Sequence, residues 1–106
     1  IFCLPTPLKK GKPDTSFIDA SIKDLLKGIN NSASSKKIFI IESTVPVGYT
    51  NSLAIKHNKH NIFFSHVPEK AIPGRTIFEM VNNIRIIAFI NKFFCLEDLL
   101  EKYFGI

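Results

Sequence analysis

Apolar residues fall in four short, nearly continuous runs along the chain, at residues 1–4, 38–41, 62–64 and 85–90. Each run has the length of a strand and is followed by polar or turn-forming residues. Runs that are apolar at nearly every position, and not at alternate positions, are typical of strands buried on both faces of a parallel sheet. The pattern therefore predicts a mainly parallel sheet covered by helices.

The segments between these runs have the spacing of helices. The clearest apolar stripe, with steps of three and four residues, is formed by Ile18, Ile22, Leu25, Leu26 and Ile29. Shorter helices are predicted at residues 49–57, 76–82 and 96–104. Because strands and helices alternate several times, the sequence predicts an α/β domain.

Polar loops follow three of the predicted strands, at residues 5–7, 42–48 and 68–70. Ligands of open α/β sheets bind beyond the carboxyl ends of the strands, so these loops are the candidate site. Hydroxyls such as those of Thr6 and Thr44 can bond a ribose, a carboxamide or a water, and the Glu69 carboxylate can orient a water or take its proton. Each residue alone has a structural alternative, as a turn residue, a helix cap or a surface charge. Three such loops at successive strand ends favour a shared site.

Length and charge narrow the class of protein. The 106 residues, 45% of them hydrophobic, fit one small domain or a piece of a larger one. No apolar run approaches the ~20 residues that span a membrane, so no membrane partner is expected. The net charge of +5 is spread over single and paired lysines. A solvated surface explains that spread better than nucleic-acid binding does.

Cysteines and histidines predict no metal site. Cys3 and Cys95 lie far apart among apolar residues, which favours buried thiols in a reducing cytoplasm. His57 and His60 are three residues apart beside lysines, a pattern more typical of a solvated helix end than of metal ligands. His66 adds nothing to this pattern.

Five short motifs follow one another along the chain: CLPTPL at residues 3–8, PD at 13–14, IIESTVPVG at 40–48, VPEKAIPG at 67–74 and NNIRII at 82–87. This ordered set resembles the UDP-sugar 6-dehydrogenases. It is most similar to the branch acting on UDP-N-acetylmannosamine, which reads Pro-Glu-Arg-x-x-Pro-Gly and then Asn-Asn-x-Arg. The resemblance covers roughly residues 1–90. It implies that residues 1–106 are a single partial domain, the C-terminal half of a Rossmann-like NAD-binding domain whose first βαβ half is missing.

The resemblance also implies an activity. Members of the family oxidise a sugar primary alcohol to a carboxylate with two NAD molecules, through a covalent thiohemiacetal and thioester on a cysteine. Thr6, Ser43 and Thr44 are then expected along the NAD site, with Thr44 also near the water that hydrolyses the thioester. Glu69 is expected in the same catalytic centre. The product, a UDP-aminouronate, serves surface polysaccharide synthesis.

Two pairs of residues carry the family's pattern with changes. Lys70 and Ala71 match the positions that contact the nucleotide sugar, but Lys70 stands where an Arg is usual. An ammonium does not replace a planar guanidinium at a bidentate contact. Ala88 and Phe89 stand where the family has two glycines, so a Cβ and a ring occupy backbone space that is usually open.

Two parts of the family's machinery do not occur in the sequence. There is no G-x-G-x-x-G to hold a pyrophosphate, and Cys95 lacks the lysine and asparagine that accompany the family's nucleophile. We therefore expect a fragment of a UDP-N-acetylhexosamine 6-dehydrogenase, cut from a longer chain or encoded by a broken gene, and inactive alone. The alternative is a non-catalytic α/β remnant that packs on a partner. The expected partners are a UDP-sugar and either the missing dehydrogenase segments or a second copy.

Overall fold

A mixed three-stranded sheet forms the centre of the protein, whose computed structural model describes residues 1–29, 36–58, 61–90 and 101–102. In chain order the elements are β1 (Leu8–Lys9), β2 (Lys12–Pro13), α1 (Ser16–Gly28), β3 (Lys37–Ile41), α2 (Tyr49–Lys56), β4 (Ile62–His66), α3 (Thr76–Asn82) and β5 (Ala88–Phe89). The α/β prediction is confirmed. The helices predicted at 49–57 and 76–82 are present as α2 and α3. Of the helix predicted at 96–104, only Glu101 and Lys102 lie within the described residues, and both are helical.

The sheet is mainly parallel, as predicted. Strands β3 and β4 run parallel over five residue pairs, from Lys37 opposite Ile62 to Ile41 opposite His66. The run at residues 1–4 joins β3 only through Phe2, whose N–H donates to the Ile40 carbonyl at 2.8 Å. The run at 85–90 contributes only β5, which pairs antiparallel to the end of β4. The first and last predicted strands are therefore shorter than expected.

The core lies where α1 and α2 pack against the sheet. Its buried members are Phe2, Ile18, Ile22, Phe39, Ile41, Leu53, Ala54, Ile62 and Phe64. The ring of Phe39 bridges two neighbours, with centroids 5.2 Å from Phe2 and 5.5 Å from Phe64. Continuous apolar strands thus give the core its centre, as their pattern predicted.

A polar contact joins α1 to α2. The Tyr49 hydroxyl donates to Asp19 Oδ1 at 3.1 Å, and the Thr15 hydroxyl donates to Oδ2 of the same carboxylate at 3.2 Å. Burial raises the pKa of Tyr49 well above its usual range, and the Asp19 carboxylate raises it further. The two helices are therefore held together by a neutral phenol on a carboxylate as well as by the apolar core.

A tight hairpin precedes α1. Strands β1 and β2 pair antiparallel, with Leu8 opposite Pro13 and Lys9 opposite Lys12. The two turn residues, Lys10 and Gly11, have φ angles of 52° and 75°. Positive φ at both central positions is the mark of the turn that matches strand twist in two-residue hairpins.

Two sequence expectations about apolar side chains are wrong. Cys3 is exposed and not buried, because side chains alternate in an extended segment and Phe2 is the one that enters the core. Leu25 belongs to the helical stripe by spacing, yet it is 51% exposed, because it lies beside the open edge at residues 1–4. Cys95 lies outside the described residues.

Much apolar surface remains uncovered within the described part of the chain. Helix α3 buries none of its residues, and Ile77, Val81 and Ile84 are each about four-fifths exposed. No described helix combines the length and apolar character needed to cross a membrane. Helix α3 and Ile84 therefore expose several large apolar side chains to solvent.

Candidate functional site

The first two strand-end loops are joined by a hydrogen bond between two threonines. The Thr6 hydroxyl donates to the Thr44 carbonyl at 2.7 Å. Thr6 is half-buried and Thr44 is exposed, and the Thr44 hydroxyl forms no hydrogen bond with any residue that the structure describes. The Thr44 hydroxyl is therefore available to a ligand, and the Thr6 oxygen keeps lone pairs that can accept from one.

Ser43 lies between these two residues in space but faces inward. Its hydroxyl accepts from the Leu4 N–H at 2.7 Å and donates to the Leu4 carbonyl at 2.8 Å. The side chain is buried. In this structure the hydroxyl replaces a missing strand pairing, and it fixes residues 2–4 against the end of β3.

The third loop continues the parallel ladder past the end of β4. The Val67 N–H donates to the Ile41 carbonyl at 2.9 Å, and the Glu69 N–H donates to the Glu42 carbonyl at 3.3 Å. His66 Nε2 lies 3.3 Å from the Ser43 carbonyl. All three loops are thus connected, directly or through β3, at the carboxyl ends of the parallel strands.

The Glu69 carboxylate shapes its own loop. Its Oε1 accepts the backbone N–H of Lys70 at 2.7 Å and that of Ala71 at 2.8 Å. Both Glu69 and Lys70 are exposed, and Ala71 is half-buried. One carboxylate oxygen is therefore used within the loop, which leaves Oε2 to act on a ligand or a water.

A contact around Glu42 was not identified from the sequence. Glu42 Oε2 accepts from the Cys3 thiol at 3.1 Å, and Oε1 lies 3.9 Å from Nη1 of Arg85. Partial burial raises the pKa of Cys3, and the hydrogen bond and charge of Glu42 raise it further. The glutamate that ends the β3 run and the arginine of NNIRII were the available signals, but nothing in the sequence paired them.

The side chains that the strand-end loops offer to a ligand are hydroxyls and carboxylates. No cluster of metal-ligating side chains occurs within residues 1–29, 36–58 and 61–90. Thr44 and Glu69 offer a free hydroxyl and a free carboxylate oxygen, which can bond polar ligand groups or hold a water. Such a site can orient a polar ligand group or a water and can accept a proton from it.

The fold and the loops define part of a dinucleotide-binding α/β domain, because polar loops gather beyond the carboxyl ends of neighbouring parallel strands. Residues 1–102 match the model of the UDP-glucose/GDP-mannose dehydrogenase family, NAD binding domain. The chain therefore belongs to this family. The Rossmann-like fold class and the resemblance to UDP-sugar dehydrogenases are confirmed, and NAD is the cofactor of the matched domain.

Several relatives share most of this chain. A UDP-N-acetyl-D-mannosamine dehydrogenase of Methanococcus maripaludis is 35% identical over 97 residues, which are 87% of this chain and 22% of that protein. A UDP-glucose 6-dehydrogenase of Campylobacter jejuni is 38% identical over 84 residues, 79% of this chain and 21% of that one. The solved UDP-D-ManNAc dehydrogenase of Pyrococcus horikoshii has a TM-score of 0.75 and 31% identity, and the match covers 97% of this chain and 25% of that chain. The chain thus spans about a quarter of the length of these relatives.

Proposed function

We propose that this chain forms the strand-end part of the active site of an NAD-dependent UDP-sugar 6-dehydrogenase acting on UDP-N-acetylmannosamine in the cytoplasm. The observation that carries the proposal is the joining of the three polar loops, in which Thr6 bonds Thr44 and Glu69 bonds Glu42. Membership in the dehydrogenase family supports the reaction class. The names of several relatives support the sugar.

The residues present fit one end of NAD. When bound, NAD supplies the hydride acceptor. A nicotinamide carboxamide both donates and accepts hydrogen bonds, and the Thr44 hydroxyl and the Thr6 oxygen can meet it in both senses. Ser43 is bonded to Leu4, so its contribution to the cofactor site is to fix the loop. The sequence has no G-x-G-x-x-G, so a pyrophosphate cradle has to come from another polypeptide segment.

The third loop is proposed to serve the sugar nucleotide. Glu69 holds its loop through Oε1 and presents Oε2 to a water or to the sugar alcohol, whose proton it can accept. Lys70 is exposed beside it and offers a point charge to the diphosphate. Ala71 offers the sugar nucleotide a small apolar surface. Its backbone N–H is bonded to Glu69 and so fixes the loop.

A chimera tests this proposal. The matching quarter of the M. maripaludis dehydrogenase is replaced by residues 1–90 of this chain, and NADH formation from UDP-N-acetylmannosamine is followed by absorbance. We expect turnover by the chimera. Thr44→Ala should lower turnover roughly 100-fold or more if its hydroxyl positions the reacting water. Thr76→Ala, the same change at another exposed threonine, should leave it unchanged.

The outcomes separate the possible readings. A folded chimera that binds NAD but gives no NADH contradicts the catalytic role of these loops. A chimera in which Thr44→Ala and Thr76→Ala behave alike contradicts the role of Thr44. The 106-residue chain alone should give no NADH, because its sequence contains no phosphate cradle.

The second candidate is a non-catalytic module that packs on a partner. It is favoured by the exposed apolar surface of α3 and by the open edge at residues 1–4. The partner would be another dehydrogenase segment or a second copy of this chain. Sedimentation of the purified chain discriminates these two partners, because pairing with a second copy gives a mass that rises with protein concentration.

A further inference from the structure

Glu42 contacts three segments near the candidate site, at residues 2–3, at Glu69 and at Arg85. Its N–H donates to the Phe2 carbonyl at 2.9 Å, and its carbonyl accepts from the Glu69 N–H at 3.3 Å. One oxygen of its carboxylate accepts a hydrogen bond from the Cys3 thiol, and the other lies 3.9 Å from the Arg85 guanidinium. One residue thus connects residues 2–3, the Glu69 loop and the segment that follows α3.

The charges of this contact are largely removed from water. The side chains of Glu42 and Arg85 are only 17% and 21% exposed, whereas the ion pair of Lys27 with Asp24 is 68% and 72% exposed. A partly buried charge that loses its partner is strongly unfavourable, while a solvent-exposed pair contributes little. The Glu42 carboxylate therefore constrains where residue 85 can lie.

The position of Arg85 in turn affects the third loop. Arg85 lines a small cleft together with Pro68, Glu69 and Lys70. The Glu42–Arg85 pair therefore fixes one wall of the cleft that Glu69 also lines.

We propose that Glu42 is a positioning residue, which acts through Arg85 and through its own backbone to hold the Glu69 loop beside the end of β3. This inference rests on the proposed function for its catalytic meaning, but the positioning itself is a property of this chain. In this role Glu42 acts on Glu69, the residue proposed to face the sugar, and not on the substrate itself.

The Cys3 thiol offers a local readout of the Glu42 charge. Partial burial is the largest cause of the raised Cys3 pKa, and the hydrogen bond and charge of Glu42 come next. The Ile1 ammonium lowers this pKa, and the Glu69 charge raises it. Glu42→Gln removes a carboxylate that disfavours the thiolate, so the Cys3 pKa should fall. Alkylation of Cys3 with iodoacetamide, resolved from Cys95 by peptide mapping, should then become faster at pH 8, because more of the thiol is ionised.

The decisive measurement is made on the purified 106-residue chain by amide NMR. We expect Glu42→Gln to shift the Glu69, Lys70 and Ala71 amide signals while the spectrum stays dispersed. Arg85→Gln should shift the same three signals, and the double variant should resemble either single one, because the two changes break one pair. Asp24→Asn, which removes a carboxylate from an exposed pair, is the matched control and should leave these signals in place.

Clear results would overturn the inference. Unchanged Glu69, Lys70 and Ala71 signals in Glu42→Gln, or additive shifts in the double variant, exclude the positioning role. Should Glu42→Gln fail to fold, Glu42→Asp retains the charge on a shorter side chain and should produce the same loop shifts, and their absence also excludes the role. In the chimera, Glu42→Gln should lower kcat roughly tenfold and change the KM for NAD less. An inactive parent chimera with intact NMR coupling contradicts the proposed function and leaves the positioning role standing.

Discussion

Two adjacent hydroxyl residues show how little a motif says about each of its members. Ser43 is buried and bonds Leu4 in both directions, while Thr44 is exposed with its hydroxyl available. Alternation of side chains past the end of a strand explains the difference, since one residue of each pair must face inward. The sequence predicted both residues at the cofactor site. Only the direction of each side chain distinguishes Ser43, which holds the loop, from Thr44, whose hydroxyl is open to a ligand.

Glu69 gives a prediction at this scale because its two oxygens have different tasks. In the chimera, Glu69→Gln keeps an amide oxygen to accept the Lys70 and Ala71 N–H groups, but it deletes the charge. Turnover should fall ~100-fold with stability nearly unchanged. Glu69→Ala removes the acceptor too and should also cost about 1 kcal/mol of stability. Thermal melting and NADH assays of both variants check this, and normal turnover with a lowered Tm in Glu69→Gln would make the residue structural.

Tyr49 predicts a pH dependence with a definite sign. The fold favours its neutral phenol, through burial first and then through Asp19, so its folded pKa is raised. Its contribution to stability is complete below the ordinary tyrosine pKa of about 10 and is lost as the pH rises beyond that value. Tyr49→Phe removes the hydrogen bond to Asp19 and should cost about 1 kcal/mol at pH 7.

The same pair of proteins supplies the control. The difference in unfolding free energy between the parent chain and Tyr49→Phe, measured in urea, should shrink or reverse between pH 9 and 11, roughly across the ordinary tyrosine pKa. Groups common to both proteins, including Tyr103, cancel in that difference. A difference that stays constant across this range contradicts the raised pKa of Tyr49 in the folded chain.

At the scale of elements, apolar continuity predicted where the strands lie but not how far they pair. The runs of β3 and β4 gave full strands, because each has a partner along its whole length. The run at 85–90 forms a strand only at Ala88 and Phe89, and Ile90 adds one hydrogen bond to the Phe64 carbonyl at 3.2 Å. Pairing depends on neighbours from distant sequence, which periodicity does not contain. The hairpin at Lys10 and Gly11 shows the same limit, because Lys-Gly is a weaker turn signal than Asn-Gly.

Two glycines allow a matched test of the helix ends. Gly48 precedes α2 with φ of 83°, whereas Gly28 ends α1 without a positive φ, and a Cβ at either position meets no atom within 4 Å. Gly48→Ala should therefore destabilise by about 1 kcal/mol through backbone strain alone. Gly28→Ala should be neutral or stabilise by about 0.5 kcal/mol. Equal changes in denaturation midpoint for the two variants would contradict the left-handed conformation at Gly48.

At the scale of the whole molecule, the candidate site was predictable as a place but not as a set of roles. The rule that ligands bind beyond parallel strand ends located Thr6, Thr44 and Glu69 correctly on one edge, since each follows an apolar run. Their roles in catalysis and cofactor binding stay predictions. The contacts of Glu42 with Cys3 and Arg85 could not be predicted, because they depend on how three loops fold over one another.

The segment at residues 1–4 forms an unpaired side of the sheet among the described residues. Phe2 directs its N–H and carbonyl toward β3, so Cys3 directs its own to the opposite side, where it forms no backbone hydrogen bond with described residues. An open groove of about 490 Å³ runs beside this edge between Ile1, Leu4 and Leu25. In the proposed role as the second half of a dinucleotide-binding domain, residues 1–4 take the place of the fourth strand in a sheet of order 3-2-1-4-5-6. The neighbour of that strand is the first strand, which carries the glycine-rich loop. We infer that such a strand pairs here.

This inference gives the last prediction. The purified chain should bind a polypeptide comprising the first half of the M. maripaludis NAD-binding domain, and Leu25→Asp should weaken that binding roughly tenfold or more by placing a charge in the apolar groove. Leu8→Asp is the matched control, because Leu8 is 75% exposed but lies on the hairpin away from the groove. Titration calorimetry measures both. Equal weakening by the two variants would mean that association is non-specific, and no binding by the parent chain would mean that the edge does not accept this strand. Specific loss in Leu25→Asp alone is expected, because only that side chain lies where a paired strand and its helix would cover it.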